Sequence, residues 1–315
     1  MNLDRLADAL AAQLPTGVVQ RDVPVSDLTT YRLGGPVAVV ARVSDDAALG
    51  VVAATLAQLG APPPPLLVVG RGSNLLVADR GFPGLGVVLA GDFESVDVEP
   101  GRSRVRAGAA TPLPVLARRA AAGGLAGLEF FVGIPGSVGG AVRMNAGGHG
   151  RETREVLHRA WVLDLLAGDA TPSARDVADL DLSYRHSGLR AGQVVTRAEF
   201  HATPDDPTAC AARVDEIVRW RREHQPGGSN AGSVFRNPTG DSAGRLIDAA
   251  GLKGLRVGGA VVSEKHANFF QAEPGASADD VARLVAEVQA RVDGATGIHL
   301  VPELELVGFD DPRLP

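Results

Sequence analysis

The chain has 315 residues, which exceeds the roughly 250 at which a single hydrophobic core stops growing, so its length predicts two or three domains. The net charge of −6 argues against nucleic acid as the main partner, because duplex-binding proteins usually present a basic surface. No apolar run approaches the roughly 20 residues that cross a bilayer, so we expect no membrane partner.

The amino-terminal residues favour an amphipathic helix, with Leu3, Leu6 and Leu10 on one face. They have neither the basic start nor the long apolar stretch of a signal peptide, so we expect a cytoplasmic protein. We also expect a monomer. The single cysteine, Cys210, has no second cysteine with which to form an internal disulfide and is expected to be a buried structural thiol.

Strand and helix patterns alternate in a first unit, residues 36–90. Residues 37–43 are apolar, a helical stretch starts at Asp45, and 66–70 and 86–89 are short β-type runs. This alternation suggests an α/β arrangement of the unit.

A second unit continues with a strand pattern at 103–109 and a helical pattern at 113–122. Strand patterns recur at 161–166 and 193–201. The prolines and acidic residues of 204–207 indicate a domain boundary followed by a helix.

The third unit has a short helical pattern near 243–250 and a longer one that begins at Ser277, with Asp280 placed as its reciprocal capping partner. Residues 298–307 are strand-like, with Glu303 and Glu305 alternating with Leu304 and Leu306.

Two glycine-rich segments, 70–75 and 133–140, can present bare backbone N–H groups to a pyrophosphate, and 145–148 extends the second. Neither segment is followed by the Gly-Lys-Ser/Thr of a phosphate-binding loop, and neither matches the dinucleotide fingerprint in register. For either segment alone, a simple tight turn is the favoured interpretation. Two widely separated segments together favour a large dinucleotide held between two small lobes.

Longer motifs occur in a fixed order at 29–35, 70–76, 129–141, 144–147, 183–187, 231–238, 249–254, 266–269 and 302–303. The first three closely resemble the FAD-binding region of UDP-N-acetylenolpyruvoylglucosamine reductases, and the later motifs continue the match. The resemblance covers nearly the whole chain, from about Thr29 to Gly308. The conjunction of motifs is far more specific than any one of them.

The resemblance implies an α+β fold with a two-lobed FAD-binding domain of the vanillyl-alcohol-oxidase type and a carboxy-terminal α+β substrate-binding domain. We therefore expect an amino-terminal helix and lead-in at 1–28, an FAD-binding domain at 29–203 with lobes of about 29–90 and 91–203, and a substrate-binding domain at 204–315. No long insertion separates Arg185 from the strand near Val194, so the chain resembles the shorter subclass that lacks a tyrosine capping loop.

The implied cofactors are non-covalent FAD and NADPH, the latter as reductant. The residues that match the family's FAD-binding motifs are Gly70, Arg71, Gly72, Ser73, Asn74, Leu75, Gly133, Ile134, Pro135, Gly136, Ser137, Gly139, Gly140, Asn145, Ala146 and Gly147.

The implied reaction is reduction of UDP-N-acetylglucosamine enolpyruvate to UDP-N-acetylmuramate in peptidoglycan precursor synthesis. By resemblance, Arg185 and Glu303 stabilise the enolate and Ser233 protonates the α-carbon. A fixed cation and a hydrogen-bond donor suit the charge that develops there, although a glutamate serves only if it is protonated or acts through another group.

Apart from the resemblance, each of these residues has a simpler interpretation that the residues themselves favour. Arg185 would be a surface or ion-pairing arginine. Glu303 would lie on the solvent face of an edge strand, and Ser233 would stand in a turn.

Tyr184, His224, Arg236 and Asn237 match substrate-binding positions, although relatives commonly have lysine where His224 stands. The seven histidines lack metal-ligand spacing, so we expect no metal. Two alternative hypotheses stay open: another flavoprotein oxidase or dehydrogenase of the same fold, and a non-catalytic nucleotide-binding protein.

Overall fold

The computed structural model describes residues 2–60 and 62–309. Its α-helices are α1 Leu3–Ala11, α2 Asp46–Leu59, α3 Leu113–Ala122, α4 Val138–Met144, α5 Pro207–His224, α6 Ala243–Ala249 and α7 Ala278–Thr296. Its strands are β1 Val19–Val23, β2 Val37–Val43, β3 Leu66–Val69, β4 Leu75–Val77, β5 Phe82–Leu89, β6 Val96–Glu99, β7 Arg104–Gly108, β8 Leu125–Ala126, β9 Gly147–Gly148, β10 Arg151–Glu152, β11 Leu157–Asp164, β12 Ser173–Asp176, β13 Gln193–His201, β14 Thr203–Pro204, β15 Arg256–Val257, β16 Ala260–Val262, β17 Phe270–Ala272 and β18 Glu305–Val307.

The contacts divide the chain into two compact units that interleave in sequence. The first contains the described parts of Met1–Asp22, Ala38–Arg71 and Pro83–Arg221. The second contains the described parts of Val23–Val37, Gly72–Phe82 and Arg222–Pro315. This division differs from the predicted boundary at 203/204, because most of α5 belongs to the first unit and two amino-terminal segments belong to the second.

The first unit is built on two sheets. One has the order β1-β2-β5-β3, and α1 and α2 contribute buried leucines and valines to the core beside it. Leu6 and Leu10 are fully buried in that core, which confirms the predicted amphipathic helix. The other sheet has the order β12-β11-β13-β7-β6, and its core includes apolar side chains of α3, α4 and α5.

The second unit packs α7 against the antiparallel sheet β15-β16-β17. Ser277 caps α7 and Asp280 completes the reciprocal capping box, as the sequence predicts. Tyr31 joins this core from the amino-terminal segment: its hydroxyl donates to the Phe270 carbonyl at 2.9 Å, and burial raises the pKa of Tyr31.

The predicted strand at 298–307 is wrong in extent, since only Glu305–Val307 forms a strand, β18, which pairs with β4 in parallel. Pro302 has no N–H group to donate to a ladder, and it forms only an isolated bridge with Phe235. The other predicted strands and helices are confirmed, with helix 113–122 and strand 193–201 at their predicted bounds.

In the part of the chain that the structure describes, no helix has the length and apolar character needed to span a bilayer. Cys210 is buried, as predicted.

Replacing Leu284 by alanine tests the contribution of α7. The side chain is fully buried, so Leu284→Ala is expected to lower the free energy of unfolding by about 2–5 kcal/mol through lost burial and a residual cavity. Urea unfolding followed by circular dichroism measures the change. The control, Glu287→Ala on the same helix, removes only an exposed ion pair with Arg291 and should cost about 0.5 kcal/mol or less. Equal losses in the two variants would show that α7 is not packed as described.

Candidate functional site

The two glycine-rich segments meet in the first unit. Gly70 follows β3, and Ser137 caps the amino terminus of α4. A Cβ atom added to Gly70 would lie 2.4 Å from the Ser137 hydroxyl oxygen, so no larger residue fits there without movement. Residues 67 positions apart in sequence therefore form one surface, as a shared dinucleotide site requires.

The second glycine segment uses its N–H groups differently from the expectation. Val138 N–H donates to the Thr111 carbonyl at 3.0 Å, and Gly139 N–H donates to the Ala109 carbonyl at 2.8 Å. A Cβ atom on Gly139 would lie 2.9 Å from the Ala109 Cβ atom. Gly139 therefore permits close packing against the end of β7, whereas Gly140 leaves an exposed surface without a side chain.

The remaining matched glycine-loop residues fall in both units. Ile134, Pro135 and Gly136 form the turn between the 3-10 helix Glu129–Gly133 and α4. Gly70 and Arg71 belong to the first unit, whereas residues 72–75 belong to the second. Gly72 has a φ of +59°, and a Cβ atom there would lie 2.0 Å from the Leu28 carbonyl oxygen, so this position requires glycine.

Arg185 stands in a tight turn of the first unit. Ser183 and His186 exchange backbone hydrogen bonds of 3.2 and 3.0 Å across the turn, and Arg185 has a left-handed φ of +54°. Its guanidinium donates to the Gly147 carbonyl at 3.2 Å and lies 4.9 Å from the centre of the Tyr184 ring. The structure therefore places Arg185 and Tyr184 beside the end of the second glycine segment.

Asn145 anchors this turn. Its buried side-chain amide donates to the Ser183 carbonyl at 2.9 Å and to Glu152 at 3.1 Å, and its oxygen accepts from Arg154 N–H at 2.9 Å. Ala146 follows directly, and its N–H donates to the Ala141 carbonyl at 2.9 Å. The Asn145 side chain is thus engaged within the protein and fixes the support of Arg185.

The structure brings Ser233 and Glu303 together within the second unit. Glu303 N–H donates to the carbonyl of Val234 at 2.7 Å, so the residue after Ser233 is bonded to Glu303. Ser233 itself forms an isolated bridge with Phe269. Both predicted catalytic residues are partly buried, and neither lies in a regular strand. Arg185 belongs to the other unit.

The predicted substrate-binding residues differ in their surroundings. The Nε atom of Arg236 is buried and has no hydrogen-bond partner among the described residues, as is also the case for the Nε atoms of Arg106 and Arg159. Asn237 is exposed, and its side-chain oxygen accepts from Ala243 N–H at the start of α6 at 3.0 Å. Tyr184 is 43% exposed, and His224 is exposed at the end of α5.

A cleft of about 620 Å³ in the first unit was not predicted. It is lined by Ala126, Gly127, Glu129, Phe130, His149, Arg151, Thr203, Asp205, Arg213, Glu216, Ile217 and Trp220. Arg213 binds Glu129 at 2.8 Å and Asp205 at 2.7 Å, so one cation is shared by two carboxylates. Burial, followed by the charge of Arg221, lowers the pKa of His149, whose ring meets Trp220 edge to face. No periodic sequence pattern marks this combination of residues.

The described residues include no cluster of three or more His, Cys, Asp or Glu side chains that could hold a metal ion.

Comparison with known proteins assigns both parts of the chain. Residues 38–170 match the family model described as "FAD binding domain", and residues 224–307 match "UDP-N-acetylenolpyruvoylglucosamine reductase, C-terminal domain". The UDP-N-acetylenolpyruvoylglucosamine reductase of Acidiphilium cryptum strain JF-5 is 44% identical over 93% of this chain and 92% of its own length. That of Synechococcus sp. strain WH7803 is 42% identical over 96% of this chain and 98% of its own length.

A solved structure is similar over the whole fold. The crystal structure of UDP-N-acetylenolpyruvylglucosamine reductase from Thermus caldophilus has a TM-score of 0.79 and 37% identity, and the match covers 92% of this chain and 98% of that one. Together with the match to an FAD-binding domain, this similarity confirms the predicted fold class.

A double substitution tests the contact between the glycine segments. Gly70→Ala is expected to lower the free energy of unfolding by about 1–3 kcal/mol, because the new methyl group meets the Ser137 hydroxyl. Adding Ser137→Ala removes that hydroxyl, which also caps α4, so the double variant should lose less stability than the sum of the two single losses. The variants are compared by thermal unfolding. The control is Gly101→Ala, where a Cβ atom meets nothing within 4 Å. Purely additive effects of the two substitutions would contradict the contact.

Proposed function

This chain belongs to the UDP-N-acetylenolpyruvoylglucosamine reductase family, and we propose that it reduces UDP-N-acetylglucosamine enolpyruvate to UDP-N-acetylmuramate at the expense of NADPH. The observation that carries the proposal is the hydrogen-bonded pairing of the Ser233 and Glu303 segments, inside the region that matches the family's carboxy-terminal domain. The proposed setting is the cytoplasmic stage of peptidoglycan precursor synthesis.

The residues of the first unit fit FAD. A Cβ atom on Gly70 would lie 2.4 Å from the Ser137 hydroxyl oxygen, and the exposed Gly140 places no side chain beside them, although its N–H donates to that hydroxyl at 3.4 Å. A dinucleotide needs such a surface, where no side chain keeps the ligand away from the backbone. The segments around Gly70 and Ser137 would hold FAD, which would supply the hydride, derived from NADPH, that reduces the enolpyruvyl methylene carbon.

Arg185 has the role of holding the substrate carboxylate and stabilising the charge that develops on it. A guanidinium can meet a carboxylate with two parallel hydrogen bonds. The turn from Ser183 to His186 and the bond to the Gly147 carbonyl fix this cation before the substrate arrives. Such preorganisation is what makes electrostatic stabilisation effective in a transition state.

Ser233 donates the proton that completes the reaction. Hydride arrival at the methylene carbon moves negative charge through the α-carbon into the carboxylate, and this enolate is basic enough to take a proton from an alcohol. Glu303, bonded through its backbone to Val234, stabilises the enolate as a hydrogen-bond donor in its protonated form or through a neighbouring group.

Arg236 binds the anionic part of the substrate through its guanidinium group, which is partly buried inside the region that matches the family's carboxy-terminal domain. Tyr184, His224 and Asn237 have supporting roles in substrate binding. Because Asn237 also accepts the Ala243 N–H, its position is tied to the start of α6.

The competing hypotheses predict different assay results. The purified protein should be yellow and should consume one NADPH per enolpyruvyl substrate, giving a product with two more hydrogen atoms. An oxidase of the same fold would instead reduce oxygen without this substrate, and a non-catalytic binding protein would consume no NADPH. Either result would overturn the proposal.

Ser233→Ala separates the two halves of the reaction. The variant should be reduced by NADPH as fast as the wild type, whereas turnover with the enolpyruvyl substrate should fall by about 10²–10⁴-fold because the proton donor is lost. Stopped-flow absorbance measures the first step and steady-state kinetics the second. Ser242→Ala, which removes the hydroxyl that caps α6, is the matched control. Unimpaired turnover in Ser233→Ala would exclude this serine as the donor.

Arg236→Ala tests the anion contact. Losing a charge-assisted hydrogen bond of roughly 1.5–3 kcal/mol should raise KM for the enolpyruvyl substrate about tenfold or more, with little change in flavin reduction by NADPH. Arg245→Ala removes an exposed arginine of the same unit that pairs with Asp241, and it should leave KM unchanged. A normal KM in Arg236→Ala would contradict the assigned role.

A further inference from the structure

Asn268 is a buried asparagine that binds the segment carrying Ser233 through both its backbone and its side chain. Its carbonyl accepts from Val234 N–H at 2.9 Å. Its side-chain oxygen accepts from Phe235 N–H at 2.9 Å, and its side-chain amide donates to the Phe235 carbonyl at 2.8 Å. The amide therefore occupies the place that a peptide group of a neighbouring strand would take.

The opposite edge of this segment binds the segment that carries Glu303. The carbonyl of Val234 accepts from Glu303 N–H at 2.7 Å, and Arg236 N–H donates to the Val301 carbonyl at 2.9 Å. Val234 and Phe235 are thus held from both sides. Phe235 is only 1% exposed, so water cannot replace the bonds that Asn268 makes.

The chain is less constrained immediately before Ser233. Gly232 has a φ of +75°, and a Cβ atom there would meet nothing within 4 Å. Its N–H donates to the side chain of Asn230 in the same loop at 3.0 Å. The direction of the Ser233 side chain therefore depends on its isolated bridge with Phe269 and on the bonds that Asn268 makes to the two residues after it.

We propose that Asn268 is a positioning residue for proton transfer, which fixes the backbone from which the Ser233 hydroxyl reaches the substrate. This inference rests on the proposed function. In the step concerned, the Ser233 O–H bond breaks, a C–H bond forms at the α-carbon, and the serine alkoxide then takes a proton from water. Reactions between fixed groups are sensitive to position, and a displacement of 1 Å can cost about a hundredfold in rate.

Asn268→Ala in the full-length protein with bound FAD tests the inference. Flavin reduction by NADPH is expected to stay within about twofold of wild type, since the hydride from NADPH does not involve Ser233. Turnover with the enolpyruvyl substrate should fall about 10- to 100-fold, with little change in KM. The same substitution in a Ser233→Ala background should change turnover by no more than about twofold, because the group that it positions is gone.

Asn268→Asp provides a second readout that does not require the amide to be deleted. A protonated carboxyl group can donate to the Phe235 carbonyl and accept its N–H, whereas a carboxylate cannot donate. Turnover of this variant should therefore recover toward wild type as the pH falls and decline as the pH rises through the carboxyl pKa, relative to a wild-type profile measured in parallel. If the alanine variant does not fold, this pH profile decides the question alone.

Asp79→Ala is the matched control. Asp79 also supplies side-chain acceptors to backbone N–H groups of the second unit, at the buried Ala278 and the exposed Asp279, and neither bond involves Ser233 or its neighbours. It should lower stability without altering turnover in the folded protein. Wild-type turnover in Asn268→Ala, losses that add fully with Ser233→Ala, or an aspartate variant with the wild-type pH profile would each overturn the inference alone. A wild-type protein that does not reduce the enolpyruvyl substrate would overturn the proposed function and this inference together.

Discussion

Backbone polar groups outside a regular ladder still need hydrogen-bond partners, and an asparagine side chain supplies one beside each predicted catalytic residue. Asn145 binds the carbonyl of Ser183 in the turn of Arg185, Asn268 binds both polar groups of Phe235, and Asn74 donates to the carbonyl of Glu303 at 2.9 Å. An amide offers a donor and an acceptor in the geometry of a peptide group. Segments too irregular for a ladder thereby gain hydrogen bonds that a neighbouring strand would otherwise supply, and such bonds help to place reactive groups accurately.

The hydrogen bonds around the Arg185 turn must offset the free-energy cost of its backbone conformation. A left-handed φ costs a residue with a Cβ atom roughly 1–2 kcal/mol, and Arg185 adopts it at +54°. The paired bonds between Ser183 and His186, the Asn145 amide and the bond from Ser187 to the Arg143 carbonyl at 2.6 Å offset that cost. The same conformation occurs at six other described residues that are not glycine, so the hydrogen bonds around the turn, rather than the φ angle alone, distinguish Arg185.

The regular helices and strands were predictable because periodic burial produces a periodic pattern of apolar residues in the sequence. Helix α3 and strand β13 have the predicted bounds, and Ser277 and Asp280 mark the start of α7 as capping chemistry requires. The interleaved units were not predictable, because they depend on long-range contacts such as that of Tyr31 with Phe270. The strand predicted around Glu303 was too long for a related reason. Alternation of polar and apolar residues does not show that Pro302 forms an isolated bridge with Phe235, a residue distant in sequence.

The glycine-rich segments were identified as a motif from the sequence, but the reason given for their glycines was only partly right. Bare N–H groups were expected throughout 133–140, yet the N–H groups of Val138 and Gly139 are bonded to carbonyls beside β7. Gly139 and Gly70 are instead required by packing, since a methyl group on either would collide with Ala109 or Ser137. Exposed N–H groups and close packing both require a run of glycines in the sequence. Only the positions of the neighbouring atoms distinguish the two requirements. A cofactor held here would therefore meet a surface shaped by close backbone packing, with Gly140 as its exposed part.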